Sequence, residues 1–305
     1  MAIDVLPVLL AKIEAAYNTD AVPAAAVLLV DPKFTPLESD KAERKLVRGY
    51  MGNPDSIPHS FRCKLEFSVE LASSGTKGTA PAYDALLRAC GFAATTTAGV
   101  KVTYTPVSKN FESATLYYNI GGILYKLLGS RGKCSLDMSN KAVPKLKFEF
   151  IGLHGGRADA VPGAAVFTAW KDPLVFEKAN VPVCTLHGYS VAVESLSLDM
   201  GQKVEYQSRP GGAEVVRITE RSPSGSIKIE STKVAEKDWL PSIKAATAGA
   251  LQVQLGSADG AIVEVAANVV LGGYDYDESN GIYLSTLPLT PKPVNGNDEL
   301  SLTFR

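Results

Sequence analysis

From Arg62 to Leu71 the chain alternates without a break. Cys63, Leu65, Phe67, Val69 and Leu71 are apolar; Arg62, Lys64, Glu66, Ser68 and Glu70 are polar. A period of two puts the apolar side chains on one face of an extended strand and the polar ones on the other. Such a strand buries one side and wets the other, the habit of antiparallel sheets. A slip of one residue would bury Glu66 and Glu70, so the pattern alone fixes the register. The period recurs at 100–104 and 145–150, and 114–120 and 123–128 also read as strands, with Gly121-Gly122 as a hairpin turn between them. Strand-like segments resume at 189–194, 195–200, 215–218, 226–230, 251–255, 262–265 and 299–304, and Asn280-Gly281 marks a further turn.

Two short helices interrupt the strands. The first spans 81–91: Thr79 caps it, Pro81 suits its first turn, Leu86, Leu87 and Cys90 share a face, and Gly91 ends it. The second starts at Asp238, carries Trp239, Leu240 and Ile243, and ends near Gly249. The expectation is a mainly β protein with two tandem domains, each a β-sandwich or barrel with one flanking helix. The length of 305 residues fits two domains at about 150 residues each. A Gly-, Ala- and Pro-rich stretch separates the halves, giving boundaries of 1–155, a linker at 156–182, and 183–305. Both halves run strand, helix, strand: 62–71, 81–91 and 100–104 correspond loosely to 226–230, 238–249 and 251–255, as in a divergent duplication.

The net charge of −1 argues against a protein that neutralises nucleic-acid phosphates along one basic face. That balance hides +4 in residues 1–155 and −5 in residues 156–305, which suits association between copies of the chain. The four cysteines, Cys63, Cys90, Cys134 and Cys184, form no CxxC pair, and His59, His154 and His187 have no partner at ligand spacing. No P-loop, nucleophile elbow or zinc-protease motif is present. We therefore expect no catalytic, cofactor or metal site, and no enzyme. No apolar run is long enough for a membrane span, so no membrane insertion is expected. The apolar start, Val5 to Leu10, follows Asp4 where a signal peptide needs positive charge, and reads as an ordered arm or short helix.

Several segments together resemble the tail tube (major tail) proteins of long-tailed bacteriophages. They are Ala11-Lys12-Ile13-Glu14-Ala15-Ala16-Tyr17, Asp20-Ala21-Val22-Pro23, Pro36-Leu37-Glu38, Arg44 to Arg48, Tyr50-Met51-Gly52-Asn53, Leu71 to Pro81, Leu86 to Phe92, Val102 to Val107, and Gly129-Ser130-Arg131-Gly132. The resemblance covers the first half, and the second half joins it by element order. It implies a structural virion protein whose subunits join sheets into rings that stack into a tube. The tube encloses the tape-measure protein, meets tail terminator and distal tail proteins, and conducts double-stranded DNA during ejection. Flexible, non-contractile tails of siphoviruses are the nearest setting, with assembly in the host cytoplasm. Two tube domains per chain imply a trimeric ring with pseudo-sixfold symmetry; one tube domain per chain implies a hexamer. Glu66 and Glu70 are candidate lumen residues, because a conduit for DNA should be neutral or acidic. Pro23, Leu37, Glu38, Gly75, Thr76, Gly78 and Thr79 are candidate inter-ring or inter-subunit contacts.

Two other readings compete. Tandem β-sandwiches serve as receptor- or glycan-binding modules, and Tyr274, Asp275, Tyr276 and Asp277 form one suggestive cluster, read first as a strand-end or interface feature. Trp170 and Trp239, the only tryptophans, fit a glycan site poorly. A β-rich hydrolase lacks any catalytic constellation.

Overall fold

The computed structural model describes residues 7–53, 55–160 and 165–305. Val5 and Leu6 of the apolar start, and 161–164 of the expected linker, lie outside these. The first half contains β1 (Val8–Ile13), β2 (Ala26–Val27), β3 (Val30–Glu43), β4 (Ser56–Glu70), α1 (Asp84–Ala89), β5 (Phe92–Thr97), β6 (Lys101–Pro106), β7 (Ala114–Ile120), β8 (Ile123–Ser139) and β9 (Lys145–Asp159). Then come β10 (Val183–Leu186), β11 (Tyr189–Ser190), β12 (Val193–Asp199), β13 (Gln202–Gln207), β14 (Val215–Arg221), β15 (Ser224–Glu230), α2 (Leu240–Lys244), β16 (Ala248–Leu255), β17 (Val263–Leu271), β18 (Asp275–Ser279), β19 (Ile282–Pro291) and β20 (Leu300–Phe304). The protein is mainly β, as the alternation requires. The apolar start is extended, not helical: Val8–Ile13 pairs with β7.

Antiparallel pairings run β3-β4-β9-β8-β12-β15-β19-β18 across one sheet. A second run is β5-β6-β20-β17-β16-β10-β11. The two meet where the end of β17 pairs with the end of β19. Each sheet takes strands from both halves, and one apolar cluster spans them, from Phe67, Phe148 and Phe150 to Ile227, Leu251 and Phe304. The first sheet repeats one order. In β3-β4-β9-β8 and again in β12-β15-β19-β18, the strands stand first, second, fourth, third by chain order. A helix and a hairpin follow the second strand of each set: α1 with β5–β6, and α2 with β16–β17. On this order 251–255 matches β5 rather than 100–104.

The turns follow their chemistry. Gly121-Gly122 and Asn280-Gly281 all have positive φ, as tight hairpins between β7 and β8 and between β18 and β19 demand. At Gly132 an added Cβ would meet a Phe150 ring carbon at 2.8 Å and the Glu149 carbonyl at 2.9 Å, so β8 passes β9 only without a side chain there. Helix α1 starts later than the sequence suggests. Tyr83 is the N-cap, with no side-chain cap, so Thr79 does not cap it. The six-residue helix is too short to stand alone. Packing holds it: Leu86, Leu87 and Ala89 are buried, and Tyr104 donates to Asp84 at 2.6 Å. Helix α2 ends at Lys244, and Gly249 lies in β16 instead of ending a helix. Asp238 does accept from the Leu240 amide at 3.0 Å, as a cap would. Glu14, buried after β1, accepts from the Gly129 amide (2.7 Å), Ser113 (2.6 Å), Thr115 (2.9 Å) and the Asn18 amide (2.8 Å), and so pins the N-terminal segment.

Candidate assembly surfaces

The polar face of the β3-to-β18 sheet carries paired charge. Register sets Glu66 directly opposite Glu149, a repulsive juxtaposition by itself. Lys64 resolves it by bridging Glu66 and Glu149, at 3.0 Å to each, and Lys133 takes the other Glu149 oxygen at 2.9 Å. Partial burial pushes the Glu149 carboxyl up, but the hydrogen bonds from Lys133 and Lys64 outweigh it and hold the carboxyl below its usual range. The same bonds raise the Lys64 ammonium above its usual value. Lys145 stands opposite both Glu70 and Asp137 in register. In the second half this face turns to hydroxyls, with Ser195 and Ser197 on β12, Ser226 on β15 and Thr286 on β19. Lys228 pairs with Asp277, whose carboxyl is lowered by that bond. Lys64, Lys133 and Lys228 are matched by carboxylates, and exposed Lys147 stands between Ser68 and Ser135, so the face offers no continuous basic track.

The edges of this sheet are β3, paired only with β4, and β18, paired only with β19. Pro32 and Pro36 lie in β3, where an edge strand tolerates the missing donors. The suggestive cluster sits on the other edge. The Tyr274 and Tyr276 rings meet edge-on at 5.0 Å, and Ser285 donates to the Tyr274 hydroxyl at 2.8 Å. With Asp277 engaged by Lys228, the cluster is a strand-edge feature.

Beyond the sheet, β3 and β4 continue into an arm with its tip at 44–55. Leu46, Val47, Tyr50, Met51, Ile57 and Phe61 are exposed along it. Within the arm Arg48 pairs with Asp55, and Arg62 holds Glu38 (3.0 Å) and Asp40 (3.1 Å) at its base. The arm residues stand in the sequence as two apolar pairs, Leu46-Val47 and Tyr50-Met51, at helical spacing but split by Arg48-Gly49 and preceded by Arg44 and Lys45. A helical spacing beside Gly49 and Gly52, in a segment that the structure gives no helix, is the signal that singles them out.

Leu37 is exposed and Glu38 half-buried, both at the arm's base, whereas Pro23 is buried. The loop with Gly75, Thr76, Gly78 and Thr79 is tied to its own chain. The Gly75 amide donates to Gly260 O at 3.0 Å, Lys77 pairs with Asp259 at 2.6 Å, and a Cβ on Gly78 would strike the Gly99 nitrogen at 2.3 Å. Gly75, Thr76 and Thr79 keep one side exposed. Glu66 is half-buried in its ion pair, and Glu70 lies at the end of β4 on the same face.

Burial pushes the Cys63 and Cys184 thiols up to about 12 and raises that of Cys90, which sits beside Cys134. Among the described residues no group of His, Cys, Asp and Glu could hold a metal ion. A cavity of about 560 Å³ lies between Asn140, Phe176 and Val193, with Glu177, Lys178 and Cys184 also in its lining. The sequence matches the family described as phage tail tube protein over residues 8–305, both halves included. No curated protein matches it.

Proposed function

The chain belongs to the phage tail tube protein family, and from that premise we propose that three copies close a ring whose wall is the β3-to-β18 sheet. Its role is structural, in the virion tail. The observation that carries the ring reading is the seam between β8 and β12. The last strand of the first four pairs there with the first strand of the second four, over five residues from Ser139↔Ser195 to Ser135↔Asp199. β18 holds the place of β8, and its five residues equal the length of that seam. β3 holds the place of β12. Joining β18 of one copy to β3 of the next repeats the in-chain seam and removes both free edges. That contact is heterologous, the kind that generates rings.

Strand spacing supports three copies when each chain contributes all eight strands. Eight strands per chain and three chains give a wall of twenty-four strands. At about 4.8 Å per strand and a tilt near 40°, the barrel is about 45–50 Å across its backbone, with a bore of roughly 35–40 Å inside the side chains. Six chains contributing the same sheet would double that to roughly 95 Å. The narrower bore suits a conduit for one duplex and for a tape-measure protein before it.

On this reading the polar face lines the lumen, with Glu66 and Glu70 on it, and its matched charges let DNA pass without holding it. Residues 1–155 and 183–305 act as two related tube domains. Leu37, Glu38 and the exposed side of the 75–79 loop meet other copies, whereas Pro23 is buried within its own chain. Stacked rings, tail terminator and distal tail partners, ejection of DNA, assembly in the host cytoplasm and a non-contractile tail complete the reading on the family resemblance. Negative-stain images of concentrated protein should show rings or tubes roughly 80–100 Å across. Protein that remains monomeric when concentrated with a tail-initiator complex contradicts it.

A further inference from the structure

Each four-strand set is interrupted between its first and second strands. In the second half the interruption is the β13–β14 hairpin, and it is seated on the first half. Gln202 donates to Cys90 O at 2.9 Å and accepts from the Cys134 amide at 3.2 Å. The Val216 amide donates to the Tyr17 hydroxyl at 2.6 Å, and Arg131 donates to Val216 O at 2.7 Å. Val216 and Ile218 are buried by this seat. In the first half the interruption is the arm, and it has no such seat. Val47 and Met51 are fully exposed and Tyr50 largely so. A hairpin tip with that much apolar surface on a monomer is an unfilled interface.

We propose that the arm of one copy packs against β18–β19 of the adjacent copy in the same ring, as β13–β14 packs against β8–β9 within the chain. The inference rests on the ring reading and names the contact that seals it. The charges agree. With Arg48–Asp55 and Arg62–Asp40 paired off, Lys41, Arg44 and Lys45 outnumber Glu43 on the arm, while the neighbour's β18 offers Asp275 and Glu278 beside exposed Tyr276. The opposite charges of the two halves thereby meet at the contact between copies.

The test is site-directed crosslinking in the full chain, with Met51→Cys and Tyr276→Cys combined. Both sites are exposed, so monomer folding, checked by circular dichroism, stays unchanged. Mild oxidation of assembled protein should give covalent species that stop at three chains, because a contact within a closed ring of three cannot extend. A ladder running past three places the arm on a neighbouring ring and overturns the proposal. So do rings that form yet crosslink neither at this pair nor at Val47→Cys with Glu278→Cys. Absence of rings altogether refutes the ring reading itself, which keeps the two failures apart. Single-cysteine variants control for Cys184. In parallel, Arg44→Glu with Lys45→Glu should raise the concentration needed for assembly about tenfold, and Asp275→Lys with Glu278→Lys in the same chain should restore it. No restoration overturns the pairing.

Discussion

Arg221 joins three parts of the chain, and its loss should be felt as a stability defect of calculable size. Its guanidinium donates to Glu299 at 2.6 Å, to Val107 O at 2.7 Å and to Asn297 at 3.0 Å. It so fastens the end of the β13–β14 hairpin to the first half and to the C-terminal loop. Glu299 is 3% exposed, and its second oxygen has no hydrogen-bond partner. Arg221→Met keeps much of the volume but strands a buried carboxylate. Removing one partner of a buried ion pair costs about 3–5 kcal/mol. The carbonyl of Val107 loses its donor as well, at about 1 kcal/mol. A total near 5 kcal/mol should lower the urea midpoint by about 1.5 M or more, for an m-value near 3 kcal/mol/M. The assay is urea unfolding followed by tryptophan fluorescence, since Trp239 is buried. Combining Arg221→Met with Glu299→Met removes both charges. It should recover most of the loss, because an apolar replacement of a buried pair is often close to neutral. A single variant within about 1 kcal/mol of the parent refutes the reasoning, judged against the cost expected for a stranded buried charge. A double variant as unstable as the single one shows that lost backbone bonds, not the stranded carboxylate, carry the effect.

Further outcomes follow from the same structure. Phe148→Ala removes a buried ring that packs against both Phe67 and Phe150 and should cost about 3–5 kcal/mol, read as a lowered thermal midpoint. Glu149 has a folded pKa below its unfolded value near 4.5, so its ion pairs stabilise the fold above that pH and are lost as pH falls through the depressed value. Glu149→Gln should therefore flatten the acid limb of stability against pH, and an unchanged limb would contradict the charge clamp. Converting Glu66 and Glu70 both to Lys should leave tubes intact but slow genome ejection, measured as DNA release from purified virions. Unchanged release would take these residues off the lumen.

The alternation at 62–71 was legible because one face meets the core of Phe148 and Phe150 and the other meets water. Turns marked by Gly121-Gly122 and Asn280-Gly281 were legible because only residues tolerant of positive φ fit there. β3 hid behind Pro32 and Pro36 and behind register shifts that break its period. The later part of β8 hid behind Gly129 and Gly132, which permit a bulge and a close approach that look like loop in the sequence. β9 runs to Asp159 through Gly155 and Gly156, so part of what composition marks as linker is strand. The charge ladder around Lys64 and Glu149 depends on strands far apart in sequence, and so do the seam of β8 with β12 and the unfilled arm. Alternation within one strand says nothing of which strand lies beside it.

The account stands on one number, the count of chains that close the wall. A cryo-electron reconstruction of the assembled tube measures it directly. The account predicts three chains per ring, with β18 of each paired to β3 of the next and the Lys64–Glu149 face turned to the bore. Six chains per ring, or a ring in which β3 and β18 remain unpaired, would contradict it.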